Sequence, residues 1–474
     1  MAGRVFGAID IGASSGRVIA GVVDAAGRTT LHTVHRFPNG PVAREGHLRW
    51  DFTGLFDQVL TGLRRLAERF PQVESIGIDT WAVDYGLLDA KGRLLGEPVS
   101  YRDSRTGPAV DLLHARISPE KLYEANGLQH LPFTTTYQLE AERSGRLWHQ
   151  VAHIVLLPDL LAYWLTGELC TEVTNASTTG LLDVHGDAWS SEVLEALQLD
   201  PARLPALEPP GTVRGRLLPG VASKVGLTGA TVVTTVGSHD TASAVVAVPA
   251  RDRSFAYVSS GTWSLAGLEL DKPILTAPSR LANFTHERGV DDRYRFLRNI
   301  GGLWLLQESL RTWAGRGLHH DLATLLREAE ALPAGGPVID VDDPALIPPG
   351  DMPGRIRRAA TQRDQRPPTS AAAVVRCIVD SLATAYAHTV ELASSLADQP
   401  VDAIHIVGGG SQNRLLCQLT ADLSGREVTA GPVEATALGN ILVQARAHGA
   451  APATLEELRS TLADAAEVRS FHPA

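Results

Sequence analysis

Cysteine is nearly absent. The chain has 474 residues and three cysteines, Cys170, Cys377 and Cys417, which stand far apart and in no C-x-x-C spacing. That excludes a disulfide framework and a structural zinc site of the usual kind. Long apolar runs are missing too: none approaches the roughly 18 residues that span a membrane. The N-terminal MAGRVFGAID meets Asp10 before a signal-peptide apolar region can build, so a cytoplasmic protein with no membrane partner is expected. Basic charge is short, with 43 Lys and Arg against 53 Asp and Glu for a net charge of -10. Such a surface repels phosphodiester backbones and excludes a general nucleic-acid binder. An anionic ligand must then be held locally, by backbone N–H groups, a metal or a few arginines. There is no G-x-x-x-x-G-K-[ST] loop, and Gly408-Gly409-Gly410 lacks the rest of the G-x-G-x-x-G pattern.

What is present is ordinary globular composition, 44% hydrophobic and 20% charged, over a length that suggests two or three domains. Val5 to Ile9 is largely apolar, Asp10 interrupts it, the small-residue turn Gly12-Ala13-Ser14-Ser15-Gly16 follows, and Arg17 to Val23 resumes the run before Asp24-Ala25-Ala26-Gly27-Arg28. The same grammar returns as Ile76 to Ile78, Asp79, Val83 to Leu88 and Asp89-Ala90-Lys91-Gly92-Arg93. Common Asp-x-x-Gly turns account for the repeat, but paired aspartates at the ends of neighbouring strands also aim two carboxylates at one place.

Leu157 to Leu165 reads as a helix, with Pro158 at its start and Gly167 past its end. The proline-rich Leu199 to Gly220 reads as irregular, and Leu332 to Pro368, rich in Pro, Gly and Asp, as a long insertion-like region. A second strand set begins at Thr231 and continues with Phe255 to Val258, the turn Ser259-Ser260-Gly261-Thr262, and Trp263 to Leu268. Pro249 to Arg253 is a polar connector, so the expected domains are 1–246 and 247–474. Behind Thr369 and Ser370, Val374, Ile378, Leu382, Tyr386 and Val390 recur every fourth residue, the mark of a buried helical stripe. Ala403 to Val407 is a short strand, and a helix follows from Asn413. Alternating strands and helices in both halves give an α/β two-domain protein.

Turns of small residues can point several N–H groups at an anion, and Arg17 adds a charge matched to phosphate oxygens. Each turn alone also has a purely structural reading. Asp10 fits Mg²⁺ held through water or a turn cap. Asp240, in Gly237-Ser238-His239-Asp240-Thr241-Ala242-Ser243-Ala244, reads as a helix cap when taken alone and as a general base if a sugar hydroxyl and a phosphoryl donor lie beside it.

Together these segments meet a known family. Ala8 to Arg17 resembles the first phosphate motif of the FGGY carbohydrate kinases, which share the actin, hexokinase and heat-shock ATPase fold. The likeness continues through IDTWAVDYGLLD (78–89), YRDSRT (101–106), LPFTTTYQL (131–139), GSHDTASAV (237–245), SSGTWSL (259–265), RNIGGLWLLQ (298–307), HIVGGGSQN (405–413) and AGPVEATALGN (430–440), in order over essentially the whole chain. The resemblance implies a two-domain actin-like fold with an interdomain catalytic cleft. It also implies ATP and Mg²⁺, and transfer of the γ-phosphoryl group to the 1-hydroxyl of L-rhamnulose. Asp240 matches the proton acceptor. Ala13, Ser14, Ser15, Gly16 and Arg17 match the phosphate loop, and Thr262, Gln307 and Gly409 match ATP contacts. His239, Thr241 and Asn299 match sugar contacts, Asp79 lies near the sugar, and Asp10 matches the metal-associated aspartate. Ala82, also at the sugar, departs from the family's D-T-W-G-V, where glycine stands. The alternatives are a kinase for another deoxyketose such as L-fuculose, against which Trp263-Ser264 speaks, or a non-catalytic nucleotide binder, against which the joint presence of Asp10, Arg17 and Asp240 speaks. A monomer is expected.

Overall fold

The computed structural model describes residues 3–185, 188–465 and 468–474; Met1 and Ala2, at the head of the N-terminal run, lie outside them. The chain forms two compact units. The first comprises Met1–Arg251, Glu269–Phe296 and Ala435–Ala465, and the second Asp252–Leu268, Leu297–Glu434 and Ala466–Ala474.

The first unit is built on a six-stranded sheet in the order Val213–Arg216, Val232–Thr234, Val73–Thr80, Arg4–Ile11, Ser15–Val23, Thr29–Pro38. Arg4–Ile11 runs antiparallel to Ser15–Val23 and parallel to Val73–Thr80. Its apolar run is continuous because both faces are covered. Phe6 and Ala8, with Ile19 and Val23, pack under Ala437, Ile441 and Ala445 of the helix Ala435–Ala447, while Gly7 on the other face lies against Leu66 of the helix Phe52–Arg69. The repeated D-A-x-G-R segments form the same turn. In each, the aspartate Oδ1 accepts from the backbone N–H two and four residues on, and Oδ2 accepts from the arginine Nε (Asp24 with Arg28, Asp89 with Arg93). The helix Leu157–Thr166 starts with Pro158 in its first turn and ends on Gly167 in the left-handed region, as its sequence predicts.

A second sheet is centred in the second unit. Its seven strands run in the order Thr285–Arg288, Tyr294–Gly301, Trp263–Leu270, Phe255–Ser260, Ala403–Val407, Glu427–Ala430, Arg469–Phe471. The helix Ala371–Ala397 carries the expected stripe: Val374, Ile378, Leu382, Tyr386 and Val390 are fully buried, and Ser370 Oγ accepts from the Ala373 N–H as its cap. The insertion-like stretch and the one read as irregular both hold short elements. Leu332 to Pro368 contains the helix Met352–Gln362, started by Asp351 as cap and Pro353 in the first turn, so proline there begins a helix rather than breaking one. Leu199 to Gly220 contains the strands Ala206–Glu208 and Val213–Arg216. Among the described residues no helix is long and apolar enough to cross a membrane.

Candidate active site

In the first unit the parallel register places Asp10 directly beside Asp79. Both are buried, Asp79 completely. Arg17, opposite Asp10 on the antiparallel neighbour, pairs with it at 2.9 Å. Asp79 Oδ2 accepts from Asn440 Nδ2 at 2.6 Å, and Gln444 Nε2 braces Asn440 Oδ1 at 2.6 Å while also donating to the Gly7 carbonyl at 2.9 Å. These amides reach the sheet because residue 77 is glycine: a Cβ there would lie 2.3 Å from Asn440 Oδ1. Asp79 Oδ1 has no hydrogen-bond partner among the described residues. Burial, and then the charge of Asp10, push the Asp79 carboxyl well above the usual carboxylate range, with Asp240 adding to the push and Asn440 and Arg17 opposing it.

Ala13 and Ser14 lie in the connection between the strands that carry Asp10 and Arg17, and Ser15 and Gly16 begin the second of them. The turn is closed by Gly12 N–H to the Ser15 carbonyl at 2.9 Å, and Asn39 clamps it from outside. The Asn39 backbone N–H donates to the Ser14 carbonyl at 3.1 Å, and its Nδ2 donates to the Gly12 carbonyl at 2.8 Å.

Asp240 opens the helix Asp240–Val246, but the capping position belongs to His239, and no side chain caps this helix. The Asp240 carboxylate is therefore not spent on the helix. Its side chain is 31% exposed, and Oδ1 accepts from Thr241 Oγ1 at 3.2 Å and lies 3.4 Å from His239 Nε2. The preceding loop is fixed by a buried carboxylate. Glu172 Oε2 accepts from the Ser238 N–H at 3.0 Å and from Ser238 Oγ at 2.7 Å, and the Ser238 carbonyl accepts from the Thr80 N–H at 2.9 Å. Thus the Asp79 strand and the Asp240 loop are tied together one residue from Asp79 and two from Asp240.

Ala82 lies in the segment between the strands Val73–Thr80 and Tyr85–Leu88. The next residue, Val83, has φ +66°, a left-handed conformation that a β-branched residue rarely adopts. Its carbonyl is held by Thr135 Oγ1 at 2.7 Å and Gln138 Nε2 at 3.2 Å. Asp84 is buried and accepts from Trp50 Nε1 at 2.6 Å, Trp81 Nε1 at 3.0 Å, the Tyr101 N–H at 3.2 Å and Gln138 Nε2 at 3.1 Å. Burial nonetheless pushes its carboxyl up to about 6.

In the second unit, Thr262 sits in the turn between Phe255–Ser260 and Trp263–Leu270, and its carbonyl accepts from the Trp304 N–H at 3.0 Å. That bond sets the start of the helix Trp304–Gly315, which presents Gln307, whose Oε1 is buried with no partner among the described residues. Gly409 follows the strand Ala403–Val407, the parallel neighbour of Phe255–Ser260. A Cβ on Gly410 would lie 2.0 Å from Ser260 Oγ, so the two turns touch, whereas a Cβ on Gly409 would meet nothing within 4 Å. Asn299 lies on Tyr294–Gly301 of the same sheet.

The sequence pattern of the FGGY family of carbohydrate kinases matches residues 5–247 with its N-terminal domain and 256–448 with its C-terminal domain. This chain belongs to that family. A rhamnulokinase of Enterococcus faecalis is 42% identical over 448 residues, 94% of this chain and 90% of that protein. One of Bacteroides thetaiotaomicron is 38% identical over 470 residues, 99% and 96% of the two chains. The solved xylulose kinase of Lactobacillus acidophilus superposes with a TM-score of 0.81 at 17% identity, over 99% of this chain and 94% of that one. Plasmodium falciparum glycerol kinase with ADP gives 0.78 at 16% identity, over 99% and 94%. The fold is the two-domain, actin-like fold of the FGGY sugar kinases.

Of the residues singled out from sequence, the first unit holds Asp10, the turn Ala13 to Gly16, Arg17, Asp79, Ala82, His239, Asp240 and Thr241. The second holds Thr262, Asn299, Gln307 and Gly409. The side chains that support the FGGY kinase motifs escaped sequence reasoning: Asn39, Asp84, Glu172, Glu287, Arg295, Asn440 and Gln444. Asp84 and Asn440 stand inside quoted motifs, which was the one signal available; the others carry none.

Proposed function

We propose that this kinase transfers the γ-phosphoryl group of ATP to the 1-hydroxyl of L-rhamnulose, giving L-rhamnulose 1-phosphate and ADP. The full-length likeness to rhamnulokinases supports the sugar. For the chemistry, the observation that carries the reading is Asp240, a half-exposed carboxylate that its helix does not use. The acceptor oxygen forms its bond to the γ-phosphorus as the bond to the ADP oxygen breaks, and the hydroxyl proton passes to Asp240. Positioning and charge neutralisation supply most of the acceleration in such a transfer.

Ala13 to Arg17, Thr262, Gln307 and Gly409 are assigned to ATP, and Asp79, Ala82, His239, Thr241 and Asn299 to the sugar. The acid pair Asp10 and Asp79, with a buried carboxylate oxygen left over on Asp79, suits a Mg²⁺ ion that keeps most of its waters. Bound there, Mg²⁺ would neutralise phosphate charge. Arg17 holds Asp10 in place and contributes a second positive charge.

The test is ADP formation with L-rhamnulose and L-fuculose side by side, with the product identified by mass spectrometry. Stimulation by L-rhamnulose above L-fuculose is expected. No stimulation by L-rhamnulose defeats the assignment, preference for L-fuculose points to the neighbouring deoxyketose, and ATP binding without any phosphorylated sugar points to a nucleotide-binding protein.

A further inference from the structure

His239 is buried, and its ring is bracketed. Nε2 lies 3.4 Å from Asp240 Oδ1. Nδ1 lies 3.1 Å from Arg295 Nη2 and 3.1 Å from Glu287 Oε2. Arg295 and Glu287 pair with each other at 3.0 Å, and Arg295 Nε donates to the Arg288 carbonyl at 3.0 Å, which fixes the plane of the guanidinium. Arg295 is fully buried and Glu287 nearly so. The charge of each is balanced by the other, which offsets the cost of burying the pair.

We propose that Arg295 and Glu287 are positioning residues that hold His239 as its Nε2–H tautomer, so that Oδ1 of Asp240 is engaged and Oδ2 receives the acceptor proton. A guanidinium has only donors. The nitrogen facing Arg295 must therefore offer a lone pair, which leaves the ring proton on Nε2, pointing at Asp240. The opposite tautomer would set an N–H against Arg295 and a lone pair against the Asp240 carboxylate, in exchange for one acceptor, Glu287 Oε2, which Arg295 already engages. With His239 Nε2–H and Thr241 Oγ1–H both addressing Oδ1, the carboxylate cannot spin to present either oxygen at random. The tautomer of a histidine is set in this way by what its other nitrogen meets. This inference rests on the reading of Asp240 as the proton acceptor, but not on the identity of the sugar.

The experiment is nitrogen NMR of the full-length, ligand-free enzyme carrying ¹⁵N-imidazole histidine, with the His239 signals assigned by their loss in His239→Gln. Protonated Nε2 and bare Nδ1 at neutral pH are expected. Protonated Nδ1, alone or with Nε2, overturns the proposal whatever the enzyme phosphorylates. Arg295→Met should move the proton to Nδ1, beside Glu287, and cut turnover about 100-fold with KM for ATP unchanged. Arg295→Lys, which keeps a cationic donor, should restore the tautomer and part of the rate. An Arg295→Met enzyme that keeps both tautomer and turnover also overturns it, and if that variant does not fold, the wild-type spectrum decides alone.

Discussion

Asp10 and Asp79 stand side by side in register on neighbouring parallel strands, both buried, with Arg17 opposite Asp10 on the third strand. Two like charges in a low-dielectric place cost several kcal/mol unless something compensates them. The chain answers with one guanidinium, one amide and an upward shift of Asp79. This arrangement is costly for the protein by itself, and the proposed Mg²⁺ would relieve that cost.

Arg17 pairs with Asp10 and is proposed to face the phosphates, and two substitutions separate the roles. Arg17→Lys keeps the charge beside Asp10 but loses the planar fork, so the thermal midpoint should stay close to wild type while turnover falls roughly 10² to 10³-fold. KM for the sugar should hardly move. Arg17→Gln should lower turnover similarly and the midpoint as well. A lysine enzyme with near-normal turnover would make Arg17 a structural ion-pair member only.

The strand–turn–strand rhythm around Asp10 and Asp79 was legible because apolar runs broken by a single acid are uncommon, and the stripe from Val374 to Val390 because its period is helical. The helix Met352–Gln362 was not, because proline signals a helix start and a break with the same letter. Glu172, Glu287 and Arg295 were illegible for a different reason. A buried charge declares itself only when its partner is known, and their partners lie 66, 48 and 56 residues away along the chain (Ser238 for Glu172, His239 for the other two). The assignment of Ala435–Ala465 to the first unit is of the same kind. An apolar helix face shows that it packs, never on what.

Asp84 gives a pH test. Its carboxyl is pushed up to about 6 when folded, against 3.8 unfolded, chiefly by burial. Between these values the folded state binds more protons than the unfolded one, so this group's stabilisation is full below the unfolded value and is lost as pH rises through the folded one. The gap corresponds to on the order of 3 kcal/mol. Asp84→Asn cannot titrate. Its stability relative to wild type should improve as pH rises from about 4 to about 7, read from thermal or denaturant midpoints of the two proteins. A pH-independent difference would show that Asp84 is ionised throughout.

Val83 offers a trade between stability and binding. A left-handed valine stores roughly 1 to 2 kcal/mol, held here by Thr135 and Gln138 through the Val83 carbonyl. Val83→Gly removes that strain and frees the segment that carries Ala82. The midpoint should hold or rise, because the relief offsets the flexibility gained by the unfolded chain. KM for the sugar should increase several-fold with KM for ATP unchanged. An unchanged KM for the sugar would mean that the strained segment does not shape the acceptor site.

Asp240 is where the helix-cap and base accounts part. The cap account gives the carboxylate a structural task that asparagine performs as well. His239 occupies the capping position and Asp240 the first helical one, with no carboxylate–backbone cap bond, so Asp240→Asn should leave the stability within about 0.5 kcal/mol of wild type and the thermal midpoint close to it. The amide has nearly the same shape and still accepts from Thr241 and His239 through one oxygen, so both ligands should bind. It cannot take a proton. If Asp240 accepts the proton of the 1-hydroxyl, turnover should fall at least about 100-fold, the size of a general-base contribution. In a loose phosphoryl-transfer transition state the proton leaves late, so part of the loss reflects orientation of the hydroxyl rather than its ionisation. Measuring kcat and both KM values alongside the midpoint separates these outcomes. A normal kcat would remove Asp240 from the mechanism, and a collapsed midpoint would return it to the fold.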